Sequence, residues 1–254
     1  MALDIHSTPA TIPARLDGRP VPKRIGLVTL ATDHTSECDF SRICDPARVG
    51  VYTNRIAFEN PTTRETLLKT GPRLTEAAAQ ILPGEDVDVL AFACTAASIV
   101  LGNDAVARSL NAARPDTPCV TPSSAAFEAF KALGAARVSI LTPYSSAVTD
   151  EMAHYFAANG PEVINASCFG LTDDREMARV CENSIIEAGI ATCDTKADAL
   201  FLSCTALRAM VCVKRMEDRL GKPVITSNQA MVWRCLRLAG LTDVMPGYGK
   251  IFEL

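Results

Sequence analysis

The sequence predicts an α/β protein built as two pseudo-symmetric, doubly wound, Rossmann-like lobes, each on a parallel sheet, with an active site in the cleft between them. Three observations lead there. Short apolar runs that read as strands alternate with longer amphipathic runs that read as helices, the pattern of a parallel sheet covered on both faces. The pattern restarts midway, because Arg24-Ile25-Gly26-Leu27-Val28 is echoed 113 residues later by Arg137-Val138-Ser139-Ile140-Leu141. Two strand-like runs also end alike, in Cys94-Thr95-Ala96 and, 110 residues on, in Cys204-Thr205-Ala206, each after an acidic residue and an apolar stretch. Pro118-Cys119-Val120-Thr121 and Pro223-Val224-Ile225-Thr226 add a further matched landmark at a displacement of 105. Landmarks at nearly constant offset imply an internal duplication.

Residues 1–22 are rich in Pro, Thr and Arg without a hydrophobic period, and are predicted to form an irregular arm laid on a partner subunit. Arg24–Leu30 is the first strand. It ends in Ala31-Thr32-Asp33-His34-Thr35-Ser36-Glu37, a polar turn with several helix N-cap candidates. A second strand is expected at Val49–Thr53, then a polar loop around Asn60-Pro61-Thr62-Thr63 and a helix from about Arg64 to Leu82. The first cysteine strand comes next, with a helix from about Ala96. A short strand at Pro118 leads through Pro122-Ser123-Ser124 into a helix that Gly134 stops. At Arg137 the pattern starts again, the second cysteine strand and the Pro223 segment follow, and the last helix runs to Leu238 and Gly240. The predicted division is an arm at 1–22, a first lobe of 23–120 plus 227–254, and a second lobe of 121–226.

The chain has 254 residues, enough for an ample core, with 48% hydrophobic and 21% charged residues and a net charge of −4. Such mild acidity offers no electrostatic attraction for nucleic acid or an anionic membrane. No apolar run is long enough to span a bilayer, and no cationic segment followed by an apolar one marks a secretory signal. The ten cysteines are scattered through apolar segments, unlike a dense disulfide scaffold. There is no CxxC pair, and His6, His34 and His154 are far apart, so no zinc site is expected. The expected partner is a small molecule and the expected compartment is the cytoplasm.

In an open parallel sheet, ligands bind at the carboxyl ends of the strands. Two thiols at equivalent strand ends therefore suggest an acid/base pair facing one pocket. A thiol at the start of a helix lies near free N–H groups and the positive end of the dipole, which should lower its pKa from about 8.5 toward neutrality. Cys94 and Cys204 are then the catalytic candidates, one a thiolate base and the other a thiol acid. The amides just beyond them, at Thr95 and Ala96 and at Thr205 and Ala206, can hold a substrate carboxylate and stabilise charge on the adjacent carbon. Such a site racemises or epimerises a carbon beside a carboxylate without a cofactor, or uses one Cys as nucleophile on an activated double bond. The other eight cysteines read as small buried hydrophobes.

The remaining polar turns carry two readings each. Asp33, His34 and Thr35 can face the cleft, or Asp33 can cap the next helix. Tyr144 can donate its hydroxyl to a carboxylate, or pack as a rim aromatic. Ser123, Ser124, Ser227 and Asn228 are caps first and ligand contacts second. Asp173-Asp174-Arg175-Glu176 reads as a solvated helix start, Trp233 and Phe127 as core, and His154 as the exposed side of a helix.

With these residues in view, the chain resembles the aspartate/glutamate racemase superfamily, in the branch of maleate cis-trans isomerase and arylmalonate decarboxylase. The resemblance rests on the Arg-Ile-Gly-Leu-Val start, the two cysteine turns, Leu141-Thr142-Pro143-Tyr144 and Leu202-Ser203-Cys204. The turn Leu30–Glu37 is most similar to the ectoine-utilisation subgroup named EutA. The resemblance implies a cofactor-independent enzyme, with a homodimer as the family expectation, whose catalytic cysteines fall at Cys94 and Cys204. Arylmalonate decarboxylase has only the second, which disfavours decarboxylation here. Carboxylate-binding groups fall on the turn of Thr95, on Tyr144 and on the turn of Thr205. Where maleate isomerase grips the distal carboxylate with Asn, this chain has Asp33, and a second such Asn falls at or near Asp174. Two carboxylates about 4 Å apart repel by roughly 1 kcal/mol even in water. Resting more on Asp33 than on Asp174, this points away from maleate. It favours a ligand whose far end is an ammonium or amide, such as a diaminobutyrate derivative of opened ectoine. The expected substrate contacts are thus Asp33, Thr95, Ala96, Tyr144, Thr205, Ser123 and Asp174. Maleate-type isomerisation by Cys94, and a non-catalytic sensor of an ectoine catabolite, are the alternatives.

Overall fold

The computed structural model describes residues 6–254. Residues 6–22 form neither helix nor strand, and the first five residues of the expected arm lie outside the described residues. The first half runs β1 (Lys23–Leu30), α1 (Ser36–Ile43), β2 (Val49–Ile56), α2 (Arg64–Leu68), α3 (Leu74–Ala79), β3 (Val89–Ala93), α4 (Thr95–Leu101), α5 (Asn103–Asn111), β4 (Cys119–Val120) and α6 (Pro122–Ala132). The second runs β5 (Arg137–Thr142), α7 (Ser146–Asn159), β6 (Glu162–Cys168), α8 (Asp174–Met177), α9 (Glu182–Thr192), β7 (Ala199–Leu202), α10 (Val213–Leu220), β8 (Val224–Thr226) and α11 (Ser227–Leu238).

Two four-stranded sheets result, in the orders β2-β1-β3-β4 and β6-β5-β7-β8. Every pairing is parallel. In each sheet the winding reverses between the first and third strands, so a crevice opens at their carboxyl ends. The central strands are buried along nearly their whole length, as helices on both faces require. Phe130 of α6 meets Phe156 and Phe201 of the second half edge to face, with ring centroids 5.1 to 6.1 Å apart. From the end of β8, α11 crosses back to pack on α6, α1 and β3.

The duplication holds at single atoms. The acidic residue ahead of each cysteine strand ties that strand to the start of its neighbour. Asp88 accepts the Arg24 N–H at 2.8 Å and returns its own N–H to the Arg24 carbonyl at 2.8 Å. Asp198 does the same with Arg137, at 2.8 and 2.7 Å. Likewise Thr121 and Thr226 each open the helix after them with a reciprocal capping box, to Ser124 and Gln229.

Three elements differ from expectation. The helix expected over 64–82 is split into α2 and α3 by a tight turn at Gly71–Arg73, because Pro72 lacks an N–H and its ring clashes with the carbonyl of the preceding turn. The edge strand β6 has no counterpart among the predicted strands; its Glu162, Asn165 and Ser167 interrupt the apolar pattern. The second Cys-Thr-Ala does not start a helix. After β7 the chain bends through Thr205–Leu207 and reaches α10 only after a short turn at Met210–Cys212. In a helix the Thr205 carbonyl would accept the N–H four residues on. Here it accepts instead from the hydroxyl of Thr35 and the amide of Asn228.

Phe201→Ala, which empties the centre of the aromatic cluster, should lower stability by about 3–5 kcal/mol in urea unfolding. An effect below about 1 kcal/mol would place the second half's core elsewhere.

Candidate active site

The carboxyl ends of the central strands of both sheets meet around one small, tightly walled cavity. Its polar wall is Asp33, Thr62, Cys94, Tyr144, Asp174, Cys204 and Thr205, and its apolar wall is Leu30, Phe58, Leu67, Ala96 and Ala206. Of the residues singled out from the sequence, the structure brings together both cysteines, Asp33, Ala96, Tyr144, Asp174 and Thr205.

Thr95 and Ser123 do not reach it, a correction to the expected contact set. The Thr95 hydroxyl donates to Ser227 Oγ at 2.8 Å. Ser123 shares a hydrogen bond with Ser98 at 3.0 Å and donates to Asn103 at 2.7 Å. Both are fully buried behind the wall, and α6, which carries Ser123, comes after the edge strand β4 rather than the switch point. His34 is exposed and does not line the cavity either.

Cys94 is the N-cap of α4, and its sulfur accepts the Ala97 N–H at 3.4 Å. Cys204 lies in the bend after β7, with its sulfur accepting the Ala206 N–H at 3.2 Å, so that amide is spent on the thiol. The Tyr144 side chain lines the cavity beside the same sulfur. These donors do not lower the thiol pKa values as expected from a helix start. Burial pushes Cys94 well above the usual thiol range, opposed by the Ala97 amide and reinforced by the charge of Asp174. Cys204 is pushed up to about 12 by burial and by Asp174, against the Tyr144 hydroxyl and the Ala206 amide. A seven-residue helix offsets too little of the desolvation of a sealed sulfur. Both cysteines therefore rest as neutral thiols.

Asp33 does two things at once. Its Oδ1 accepts the N–H groups of Thr35 and Ser36 at 2.8 Å each, and Oδ2 accepts the Ser36 hydroxyl at 2.6 Å, while the side chain still lines the cavity. Burial raises its pKa despite those bonds. Asp174 is at a helix start but is not solvated, contrary to expectation. It accepts from the hydroxyls of Thr32 at 2.7 Å and Thr62 at 3.3 Å, and its own N–H donates to Asn60 at 3.1 Å. Burial raises its pKa, and its charge bears on Cys94, Cys204 and Tyr144 together. Asp174 is thus the carboxyl closest in effect to the thiols, and Asp33 the one occupied by capping. The weight given to the two carboxyls from sequence is therefore reversed.

Thr32, Asn60 and Thr62 were not among the expected contacts. They sit in the two polar turns already visible at 31–37 and 60–63, but only the fold brings those turns to the second half, where the Thr62 N–H donates to the Thr172 carbonyl at 2.8 Å. None of the residues lining the cavity is Lys, Arg or His. Among the described residues no group of three or more His, Cys, Asp or Glu converges as a metal site, and no helix is long and apolar enough to cross a membrane.

A profile of the arylmalonate decarboxylase family matches residues 72–252. Arylmalonate decarboxylase of Bordetella bronchiseptica is 32% identical over 139 residues, which cover 54% of this chain and little more than half, 58%, of that enzyme. Maleate isomerase of Geobacillus stearothermophilus is 24% identical over 244 residues, covering 91% of this chain and 97% of that one. Among solved structures, maleate isomerase Iso from Pseudomonas putida S16 matches with a TM-score of 0.82 at 23% identity, over 91% of this chain and 98% of that one. Nocardia farcinica maleate cis-trans isomerase with a covalently bound succinylcysteine intermediate matches equally, with a TM-score of 0.82 at 23% identity and coverage of 91% and 98%.

Because the thiolate is the reacting form, both cavity thiols should alkylate slowly at neutral pH and speed up about tenfold per pH unit into the alkaline range. Exposed Cys181, whose thiol pKa the Ser184 hydroxyl lowers, should label first. Asp174→Asn should accelerate both cavity thiols. Peptide-resolved mass spectrometry of iodoacetamide labelling checks all three.

Proposed function

The chain belongs to the arylmalonate decarboxylase family, and from that premise we propose that it is a cofactor-independent isomerase working with two cysteines. Cys94 and Cys204 flank a carbon beside the substrate's carboxylate. One sulfur, as thiolate, removes the proton from that carbon, and the other, as thiol, delivers one to the opposite face. Each turnover leaves the pair with its roles exchanged and no net proton gained. Tyr144, whose hydroxyl favours the charged form of Cys204, and the Ala97 amide at Cys94 support the sulfur that carries the charge.

The observation that carries this reading is the meeting of both sulfurs and the Tyr144 hydroxyl on one cavity whose wall contains two carboxyl groups and no cationic side chain. A ligand with an ammonium at its far end neutralises Asp174, and one with an amide donates to it without adding a further negative charge. The substrate is accordingly a small amino acid with an ammonium or amide at its far end, of the diaminobutyrate type that opened ectoine supplies, in keeping with the EutA-like turn at Leu30–Glu37. When an ammonium pairs with Asp174, the carboxylate no longer opposes the thiolate, and the thiol pKa values fall toward the working range.

Maleate-type isomerisation is the second reading, favoured by full-length relatives that catalyse it. There the Cys94 thiolate adds to an alkene carbon while Cys204 protonates its neighbour. Rotation about the new single bond and reversal of both steps release the trans acid. A dianion meets two carboxyl groups, so this chemistry needs them protonated, which their raised pKa values make accessible on the acid side.

Incubating candidate diamino acids in D₂O should give α-proton exchange that is lost, at least about a hundredfold, in both Cys94→Ser and Cys204→Ser. Exchange that survives both changes removes the mechanism. The pH dependence separates the two substrates. With an ammonium substrate, kcat/KM rises as pH climbs through the raised Asp174 pKa; with maleate, followed by ultraviolet absorbance, it falls over the same interval.

A further inference from the structure

The bend that holds Cys204 departs from the helix start at Cys94, and the contacts that replace the helix come from α1 of the first half and from α11, which packs back on α1 and β3. Thr205 is the hinge of these contacts. Its carbonyl accepts from the Thr35 hydroxyl, at the N-terminus of α1, and from Asn228 Nδ2 at 2.9 Å, in the first turn of α11. Its own hydroxyl donates to the Ala93 carbonyl at 3.3 Å, immediately before Cys94. Asn228 is in turn oriented from both ends of its amide. Nδ2 donates to Asp39 at 2.8 Å, and Oδ1 accepts from the Ser36 hydroxyl at 3.3 Å. Thr35, Ser36, Asp39, Thr205 and Asn228 are all at least nine-tenths buried, so no water competes for these bonds.

We propose that Thr35 and Asn228 are positioning residues for Cys204, clamping the Thr205 carbonyl so that the α1 and α11 side of the molecule sets where the second sulfur stands relative to the first. The assignment rests on the reading of Cys204 as a reacting thiol. The clamp does two jobs. It withholds the Thr205 carbonyl from a helical bond, which keeps the turn open, and it fixes the backbone on which the Cys204 sulfur and the Ala206 amide meet. Asp39 holds Asn228 in the orientation that presents Nδ2 to Thr205. Burial raises the Asp39 carboxyl to about 6, so it is half charged near that pH and fully charged only well above it. The charged groups acting on it are Arg42, on its own helix at 3.3 Å, and Asp33 in the turn before it. From α11 it meets the neutral Asn228. Arg55 of β2 is engaged elsewhere, by Glu37 and by the Asp33 carbonyl at 2.9 Å.

Backbone hydrogen exchange, read by mass spectrometry on peptides covering 203–209, tests the clamp without any substrate. In Thr35→Val, close in shape but without the donor, the Ala206 and Leu207 amides should exchange about tenfold faster, the loss expected for one buried hydrogen bond. The β7 amides at 199–202 should not change. Thr35→Ser, which restores the hydroxyl, should return exchange to the wild-type rate. Should Thr35→Val not fold, Thr35→Ala and Asn228→Ser carry the same expectation with space rather than bulk. With the substrate from the exchange screen, these variants should lose kcat with KM within about twofold, because the sulfur and not the ligand contact is displaced. Unchanged exchange at 206–207 in all of them overturns the clamp. If instead Cys204→Ser keeps full turnover, the two-thiol reading falls while the exchange comparison still decides the clamp.

Discussion

Five acidic groups share one sealed cavity: two thiols, a phenol and two carboxyls. Burial raises the pKa of every one of them, and each charge that forms raises the others further. In such a place a negative charge is stable only where several donors converge on it. Asp33 has three, all from α1 and the turn before it. Asp174 has two threonine hydroxyls, and Cys94 has a single long contact from Ala97. This ordering of donors governs what the site can do. Burial is the larger obstacle to a thiolate at either sulfur, and the charge of Asp174 adds to it.

The duplicated fold supplies the two sulfurs but does not make them equivalent. The same strand order, the same Asp-to-Arg tie ahead of the cysteine strand and the same threonine capping box recur in both halves. The backbone just beyond each cysteine breaks the repeat. Cys94 caps a helix of its own half, whereas Cys204 stands in a bend where the Thr205 carbonyl is bonded across the seam. The first sulfur is held by a cap bond within its own turn, and the second stands on a backbone whose carbonyl is bonded from α1 and α11.

The strands of the core were legible because a doubly covered parallel strand must be a continuous apolar run, and the duplication printed that run twice. That both cysteines, Tyr144 and Asp33 line one cavity was legible because each lies within three residues of the end of such a strand. The edge strand β6 was not, since half-exposure lets Glu162, Asn165 and Ser167 break its pattern. Thr95 and Ser123 were misplaced because a turn position says which strand end a residue belongs to, not which layer its side chain enters. The thiol pKa values were inverted for a related reason. The helix dipole is written in local sequence, while the burial that outweighs it comes from residues far away along the chain. Asn228 was visible as a cap, but its partners Thr35 and Asp39 lie about 190 positions back.

The composition of the cavity wall bears on the substrate more directly than overall similarity does. Two proteins with the same fold can bind ligands of different charge if the groups around the reacting carbon differ. A dicarboxylate needs cations or a surplus of N–H donors at its far end, and here the far end offers Asp174, its two hydroxyl partners and no Lys, Arg or His. The hydroxyls of Thr32 and Thr62 already point their protons at Asp174, so they are not free to face a second carboxylate. Turning them would leave Asp174 buried and unpaired, which costs more than a normal hydrogen bond returns. An ammonium suffers no such conflict: it donates to the carboxylate in the directions the threonines leave open. The proposed cationic end therefore rests on the arrangement of donors and not only on the sign of the charge.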